Sequence, residues 1–350
     1  MNTLSVERIC NVHSHLRESA EEEVMRALIA LAIQGGADVV LPMPNTTVGL
    51  TTCEQVLEYN QKGRSFVPQG YSLTFIPTLM ITETTPEDEV RKSTDAGIKD
   101  GKVFPRDRTT KSQNGVRDYA RLIPKIRTCG KAGMKVHLHP EHPWMTFGNR
   151  DAEFIFLPIA DMLLRETEAT IIWEHGTDAR CVPFWKEMAK TGRLFVTLTA
   201  HHLAGNEDQT FGDVRMVCKP PIKTELDRLG LIQFVAEDHD WVLAGGDDAP
   251  HPVGAKHVHS GQCACGVYTA PFLLLLYAHA LDDLLQSGEA GRQTFVNFTS
   301  RNARKLHELP PASATRVLAR QEFCIPDFYQ VGPWQVEPPW AGKTIKYSFV

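Results

Sequence analysis

Long apolar runs are missing from this chain of 350 residues. The longest, Ala270 to Leu281, is interrupted by Pro271, Tyr277 and His279, and it falls short of the roughly 20 residues that a membrane span needs. Met1 to Cys10 hold no apolar stretch behind a basic start, so no secretory signal is expected. Blocks of Lys or Arg are also absent: 37 basic against 42 acidic residues leave a net charge of −5, which argues against a nucleic-acid partner. Of the 8 cysteines only Cys263 and Cys265 lie close together. A lone Cys-x-Cys without a second pair fits packed thiols better than a disulfide framework or a metal knuckle. A cytoplasmic chain that binds neither membrane nor nucleic acid is expected.

A Gly-rich phosphate loop is missing too. His13-Ser14-His15-Leu16-Arg17 stands where a doubly wound sheet would carry one after its first strand. What is present is an ordinary globular composition, 42% hydrophobic and 23% charged, with a regular order of elements. β-rich runs occur at Arg8 to His13, Asp38 to Met43, Ser72 to Leu79, Gly97 to Phe104, Met134 to His139, Thr170 to Glu174, Leu194 to Leu198 and Trp241 to Gly246. Helical patterns separate most of them, at Glu18 to Gln34, Thr52 to Lys62, Val116 to Cys129, Ala152 to Thr167, Val182 to Lys190, Thr224 to Ala236 and Ala270 to Gln286. Such alternation predicts parallel pairing, and eight units close most simply into an α/β fold of the (β/α)8 TIM-barrel type. The barrel is assigned to residues 1–309. Residues 310–350, rich in proline and aromatics, read as a C-terminal extension packed on it.

Barrel enzymes carry their chemistry at the C-terminal ends of the strands. Six of the eight predicted ends are polar: His13 and His15, Asn45 after Pro44, Lys102, His139, His175, and Asp247 with Asp248. A single histidine there is more often a hydrogen-bonded wall residue than a ligand, but the barrel converges all of these tips on one mouth. In His13-x-His15 the period-2 alternation of a strand puts both imidazoles on one face, where they can chelate one ion. Four imidazoles and a carboxylate exceed the needs of one open zinc site, so two metals are plausible. A free Lys102 ammonium beside two dications would be strongly disfavoured. Lys102 is then either turned away or converted by CO₂ to an anionic carbamate that could bridge the ions.

These motifs, together with Met43-Pro44-Asn45-Thr46, His139-Pro140-Glu141, Thr197-Leu198-Thr199-Ala200-His201-His202-Leu203 and Gly246-Asp247-Asp248-Ala249-Pro250-His251, resemble in order those of the dihydroorotase family, in its short bacterial form, within the amidohydrolase superfamily. The resemblance runs from about residue 9 to residue 275. It implies a hydrolase of pyrimidine biosynthesis that interconverts N-carbamoyl-L-aspartate and L-dihydroorotate by a binuclear zinc-activated hydroxide. On this pattern His13, His15 and Asp247 bind one Zn²⁺ and His139 and His175 the other, N6-carboxylated Lys102 bridges the two, and Asp247 is the general base. Arg17, Asn45 and His251 match residues that hold the substrate carboxylate. Thr109 and Thr110 match a loop that closes over substrate. A homodimer is the family expectation.

Three positions depart from the family pattern. Asn11 stands where an aspartate is usual, Asp248 where a small residue is common, and His137 lies two residues before His139 as a rival ligand. The competing readings are another cyclic amidohydrolase of the dihydropyrimidinase, hydantoinase or allantoinase type, and a catalytically silent barrel. The first usually lacks a counterpart of Arg17 and is longer. The second would show lost ligands.

Overall fold

The computed structural model describes residues 3–18, 20–144 and 148–350. Strands follow in the order β1 (Thr3–Glu7), β2 (Ile9–Ser14), β3 (Ala37–Pro42), β4 (Thr74–Phe75), β5 (Thr78–Met80), β6 (Asp100–Val103), β7 (Lys135–Leu138), β8 (Ile171–Trp173), β9 (Leu194–Leu198) and β10 (Val242–Ala244). From β2 to β10 neighbouring strands pair in parallel, in chain order.

The ladder breaks once, inside the third barrel strand. β4 pairs with β3 and β5 with β6, and Pro77 sits between the two halves, where it has no N–H to donate. At the other end the sheet closes: His15 N donates to Asp248 O at 2.9 Å and Asp247 N to His13 O at 2.9 Å. Counting β4 and β5 as one, eight parallel strands form the expected barrel, each within a few residues of its predicted span.

Helices cover the outside because their starts are encoded locally. Thr52 opens the helix Cys53–Ser65 with a capping box to Gln55, and Thr224 opens Glu225–Ala236 with one to Asp227. Of the stretch predicted from Glu18, the helix occupies Glu22–Gln34, and Ser19 lies outside the described residues. A further helix, Glu87–Asp95, has only Val90 and Ser93 buried, too few apolar positions for a periodic signal.

The C-terminal residues contribute several short strands. Thr315–Ala319 forms β11, which pairs antiparallel with β1, in the register Thr3↔Ala319 to Glu7↔Thr315, and with Ser348–Phe349. The first strand of the chain thus belongs with the C-terminal segment in space. Among the described residues no helix is long and apolar enough to cross a membrane.

Candidate active site

His13 and Ser14 end β2, and the chain turns sharply after them. Arg17 takes φ 62°, His175 φ 39° and Asp247 φ 46°. Left-handed backbone at three non-glycine residues costs on the order of 1–3 kcal/mol each, and here all three sit at strand tips facing one cavity. Hydrogen bonds hold the strain in place: Thr197 Oγ1 accepts from His175 N at 2.7 Å, and Arg17 Nε donates to Pro250 O at 2.7 Å.

The cavity is lined by His13, His15, Arg17, Asn45, Thr109, Thr110, His139, His175 and Asp247, with Phe104, Lys219 and Cys265 among its other walls. A larger surface groove runs along Glu87, Arg91 and Arg127, without a comparable set of ligands among the described residues that line it. Ring centroids of His13 and His175 are 5.2 Å apart and those of His139 and His175 4.6 Å. Asp247 Oδ1 lies 3.1 Å from His13 Nε2 and 3.2 Å from His15 Nε2. These residues offer ligand atoms on one centre: those of His13, His175 and Asp247 all fall within 4.8 Å of one another.

Orphaned atoms mark the same place. Lys102 Nζ is completely buried without a hydrogen-bond partner, and so are His175 Nδ1 and Asn45 Oδ1. Buried polar atoms are paired in the great majority of cases, so such a cluster points to a polar guest. Burial pushes the Lys102 amine down to about 8, against the pull of Glu174 and Asp247. A substantial neutral fraction at physiological pH makes it nucleophilic towards CO₂. Burial also lowers His15, to about 4, and holds His175 well below its ordinary value, with His139 and Lys102 adding to the effect. Neutral imidazole is the form a metal needs. Burial acts to raise Asp247, but His13 and His15 prevail and keep it an anion. The donor set of imidazoles and a carboxylate fits a divalent metal.

Two carboxylates unsuspected as partners hold the candidate ligands His13 and His139. Glu174 Oε2 lies 2.9 Å from His13 Nδ1, and Glu141 Oε2 lies 2.7 Å from His139 Nε2. Each carboxylate holds one ring nitrogen, which leaves Nε2 of His13 beside Asp247 and Nδ1 of His139 free of that contact. Their one sequence signal is adjacency to a ligand: Glu174 precedes His175, and Glu141 follows His139 by two.

The departures are also accounted for. Asn11 Oδ1 accepts from Gly246 N at 2.7 Å, and its Nδ2 donates to Asp248 Oδ2 at 2.8 Å. Asp248 takes Thr269 N and Oγ1 on its other oxygen, at 3.1 and 2.8 Å. It therefore points away from the cavity, and Asp247 is the carboxylate facing the ligands. A Cβ on Gly246 would stand 2.2 Å from Asp248 Oδ2, so this pairing demands glycine there. The rival His137 has its ring inside the barrel, hydrogen-bonded to Glu174 and, at 3.0 Å, to Asp100. A separate group, His201, His202 and Cys218, is buried nearby. There His202 spends both nitrogens, on Thr199 Oγ1 and on Pro220 O, whereas neither nitrogen of His201 has a hydrogen-bond partner.

The residues expected to hold substrate gather at the mouth. Arg17 Nη2 is 3.1 Å from His251 Nε2. Asn45 Nδ2 donates to Thr110 O at 3.1 Å, and Thr110 Oγ1 to Cys265 O at 3.1 Å, which draws the 105–115 loop across the opening. Lys111 fastens the same loop to Glu18.

No family model matches the chain. It is 31% identical over 356 residues to a dihydroorotase of Acidovorax sp., covering 100% of this chain and 98% of that protein. Among solved structures, dihydroorotase from Saccharomyces cerevisiae in complex with 5-fluoroorotic acid superposes with a TM-score of 0.89 at 24% identity, over 100% of this chain and 99% of the other. The L-hydantoinase (dihydropyrimidinase) of Arthrobacter aurescens reaches 0.81 at 15% identity, over 99% and 83%. At these identities the two structures speak for the barrel alone, which both enzyme types share. The full-length relationship at 31% decides the matter of kinship: this chain belongs to the dihydroorotase family.

Proposed function

We propose that the chain catalyses the reversible cyclisation of N-carbamoyl-L-aspartate to L-dihydroorotate in de novo pyrimidine biosynthesis. His13, His15 and Asp247 would hold one Zn²⁺, His139 and His175 the second, and N6-carboxylated Lys102 would bridge them. When bound, two zinc ions supply Lewis acidity that brings the pKa of water down to about 7 and polarises the scissile carbonyl. Around them the side chains have separate tasks. Asp247, an anion beside His13 and His15, accepts the proton of the attacking water and returns it to the departing ring nitrogen. In cyclisation the proton moves the opposite way. Thr109 and Thr110, drawn over the mouth, exclude water and offer hydroxyls to the developing tetrahedral centre.

The observation that carries the choice of substrate is Arg17. Its guanidinium, anchored by Nε on Pro250 O and flanked by His251 and the cavity wall, gives a carboxylate a planar fork within the ligand-lined cavity. Dihydroorotate has that carboxylate; dihydrouracil and hydantoin do not. The hydantoinase-type alternative is disfavoured on this ground, and the silent-barrel alternative by the retention of every ligand position. Arg17→Ala should lower kcat/KM for dihydroorotate by about 100-fold, the scale of a lost charge-assisted hydrogen-bond pair near 3 kcal/mol, with zinc content unchanged. Indifference of kcat/KM to the substitution refutes the assignment. A homodimer in the cytoplasm completes the proposal, with the dimer checked by light scattering.

A further inference from the structure

Behind the ligands the barrel interior is polar, where branched aliphatic side chains ordinarily fill it. His137, on β7, has Nδ1 hydrogen-bonded to Glu174 Oε1 and Nε2 3.0 Å from Asp100 Oδ1. Both neighbours are carboxylate oxygens, so the ring donates on both sides. Glu174 uses its other oxygen for His13 Nδ1 at 2.9 Å and Thr197 Oγ1 at 2.6 Å. The result is an unbroken run from His13 through Glu174 and His137 to Asp100. His307 Nδ1 at 3.4 Å and Lys135 Nζ at 3.7 Å from Asp100 end it. The side chains of His137, Glu174 and Asp100 are 0%, 0% and 3% exposed. The chemistry assigned above uses neither His137 nor Asp100.

A carboxylate bonded through one oxygen can still rotate about its Cγ–Cδ bond. Glu174 cannot, because His137 claims Oε1 while His13 and Thr197 claim Oε2. Asp100 in turn fixes the plane of the His137 ring. We propose that Asp100 and His137 are positioning residues for the metal ligand His13, holding Glu174 in the orientation that keeps the His13 Nδ1–H engaged and its Nε2 aimed at the metal. The inference rests on the metal-centre reading above.

A merely structural cluster would alter the stability of the metal-free protein and leave metal binding alone. The experiment therefore reads zinc affinity by competition with a chromophoric chelator, and the visible absorption of the Co²⁺-substituted protein. H137L should weaken zinc binding by about 10-fold, the lower end of the range for loss of a ligand's own hydrogen-bond partner, because Glu174 itself remains, and should shift the Co²⁺ bands. H137N, whose amide can occupy the place of Nδ1–H, should bind within about threefold of the parent. D100A should weaken binding alone but add nothing to H137L, since Asp100 acts through His137. Zinc affinity of H137L within twofold of the parent with unshifted Co²⁺ bands overturns the proposal, as does H137N binding as poorly as H137L. Should H137L fail to fold, D100A decides: affinity within twofold of the parent overturns it. A parent protein that binds no zinc refutes the metal-centre reading itself. Two ions bound alike by parent and variants refute only this positioning role.

Discussion

Asn11 and Asp248 exchange chemistry across a 2.8 Å hydrogen bond. The amide on the strand and the carboxylate on the loop opposite form one buried pair. Burial raises the Asp248 carboxyl to about 6. Asn11→Asp would put two buried carboxylates in contact, and repulsion plus desolvation should cost about 3 kcal/mol. A second change, Asp248→Ser, should recover most of this. The penalty should grow with pH: carboxyls whose folded pKa lies above the unfolded value stabilise the fold in their protonated form, and this is lost as pH rises from about 4 through 6. Denaturant midpoints at pH 5 and pH 8 check both the pairing and its sign. Residue identity showed the departures in the sequence. Their mutual compensation needed the loop after β10 to be seen against β2, across more than 230 positions of chain.

At the scale of elements, much was legible because six of the eight strands end in polar groups that period-2 alternation and turn chemistry do not require. His13, His15, His139, His175 and Asp247 were found by that reasoning, and the structure gathers them. Glu174 and Glu141 were missed since a glutamate beside a histidine has no pattern of its own until the barrel fixes which way each points. The His137 rivalry was undecidable for a related reason: residues 137 and 139 share a face of the strand, and only depth in the barrel separates them. The break at Pro77 divides a strand that reads as continuous. Thr109 and Thr110 lie at the mouth as expected, but what fastens their loop was not foreseen. Lys111 and Glu18 are a partly buried pair, with Glu18 also accepting from Thr47 N at 2.9 Å. Lys111→Met should loosen closure by about 1 kcal/mol, seen as a roughly fivefold rise in KM for dihydroorotate with kcat little changed. A fall in kcat with KM unmoved contradicts the fastening role.

For the whole molecule, the C-terminal segment proves to be part of the architecture. It pairs with β1, so the two chain ends share one small sheet, a contact that no local pattern announces because its strands are some 310 residues apart. Asp282 secures the segment from the barrel side: it is bonded to Arg320 at 2.9 Å, Lys346 at 2.7 Å and the Tyr347 hydroxyl at 2.8 Å. Arg320, Lys346 and Tyr347 outweigh the effect of burial and depress the Asp282 carboxyl below its ordinary 3.8. Its contribution is therefore present above that pH and lost as pH falls below it. Asp282→Asn should lower stability by about 2 kcal/mol at pH 7, after allowing for the half-exposed cations, and by much less at pH 3. Thermal melts at the two pH values read the difference.

The central claim is that one barrel mouth joins a binuclear zinc centre to a carboxylate clamp. Steady-state turnover of dihydroorotate, dihydrouracil and hydantoin by the same zinc-loaded preparation, with about two ions per chain by metal analysis, tests it most directly. The account predicts efficient turnover of dihydroorotate and kcat/KM at least about 100-fold lower for the two rings without the carboxylate. Equal or greater turnover of dihydrouracil or hydantoin would contradict it.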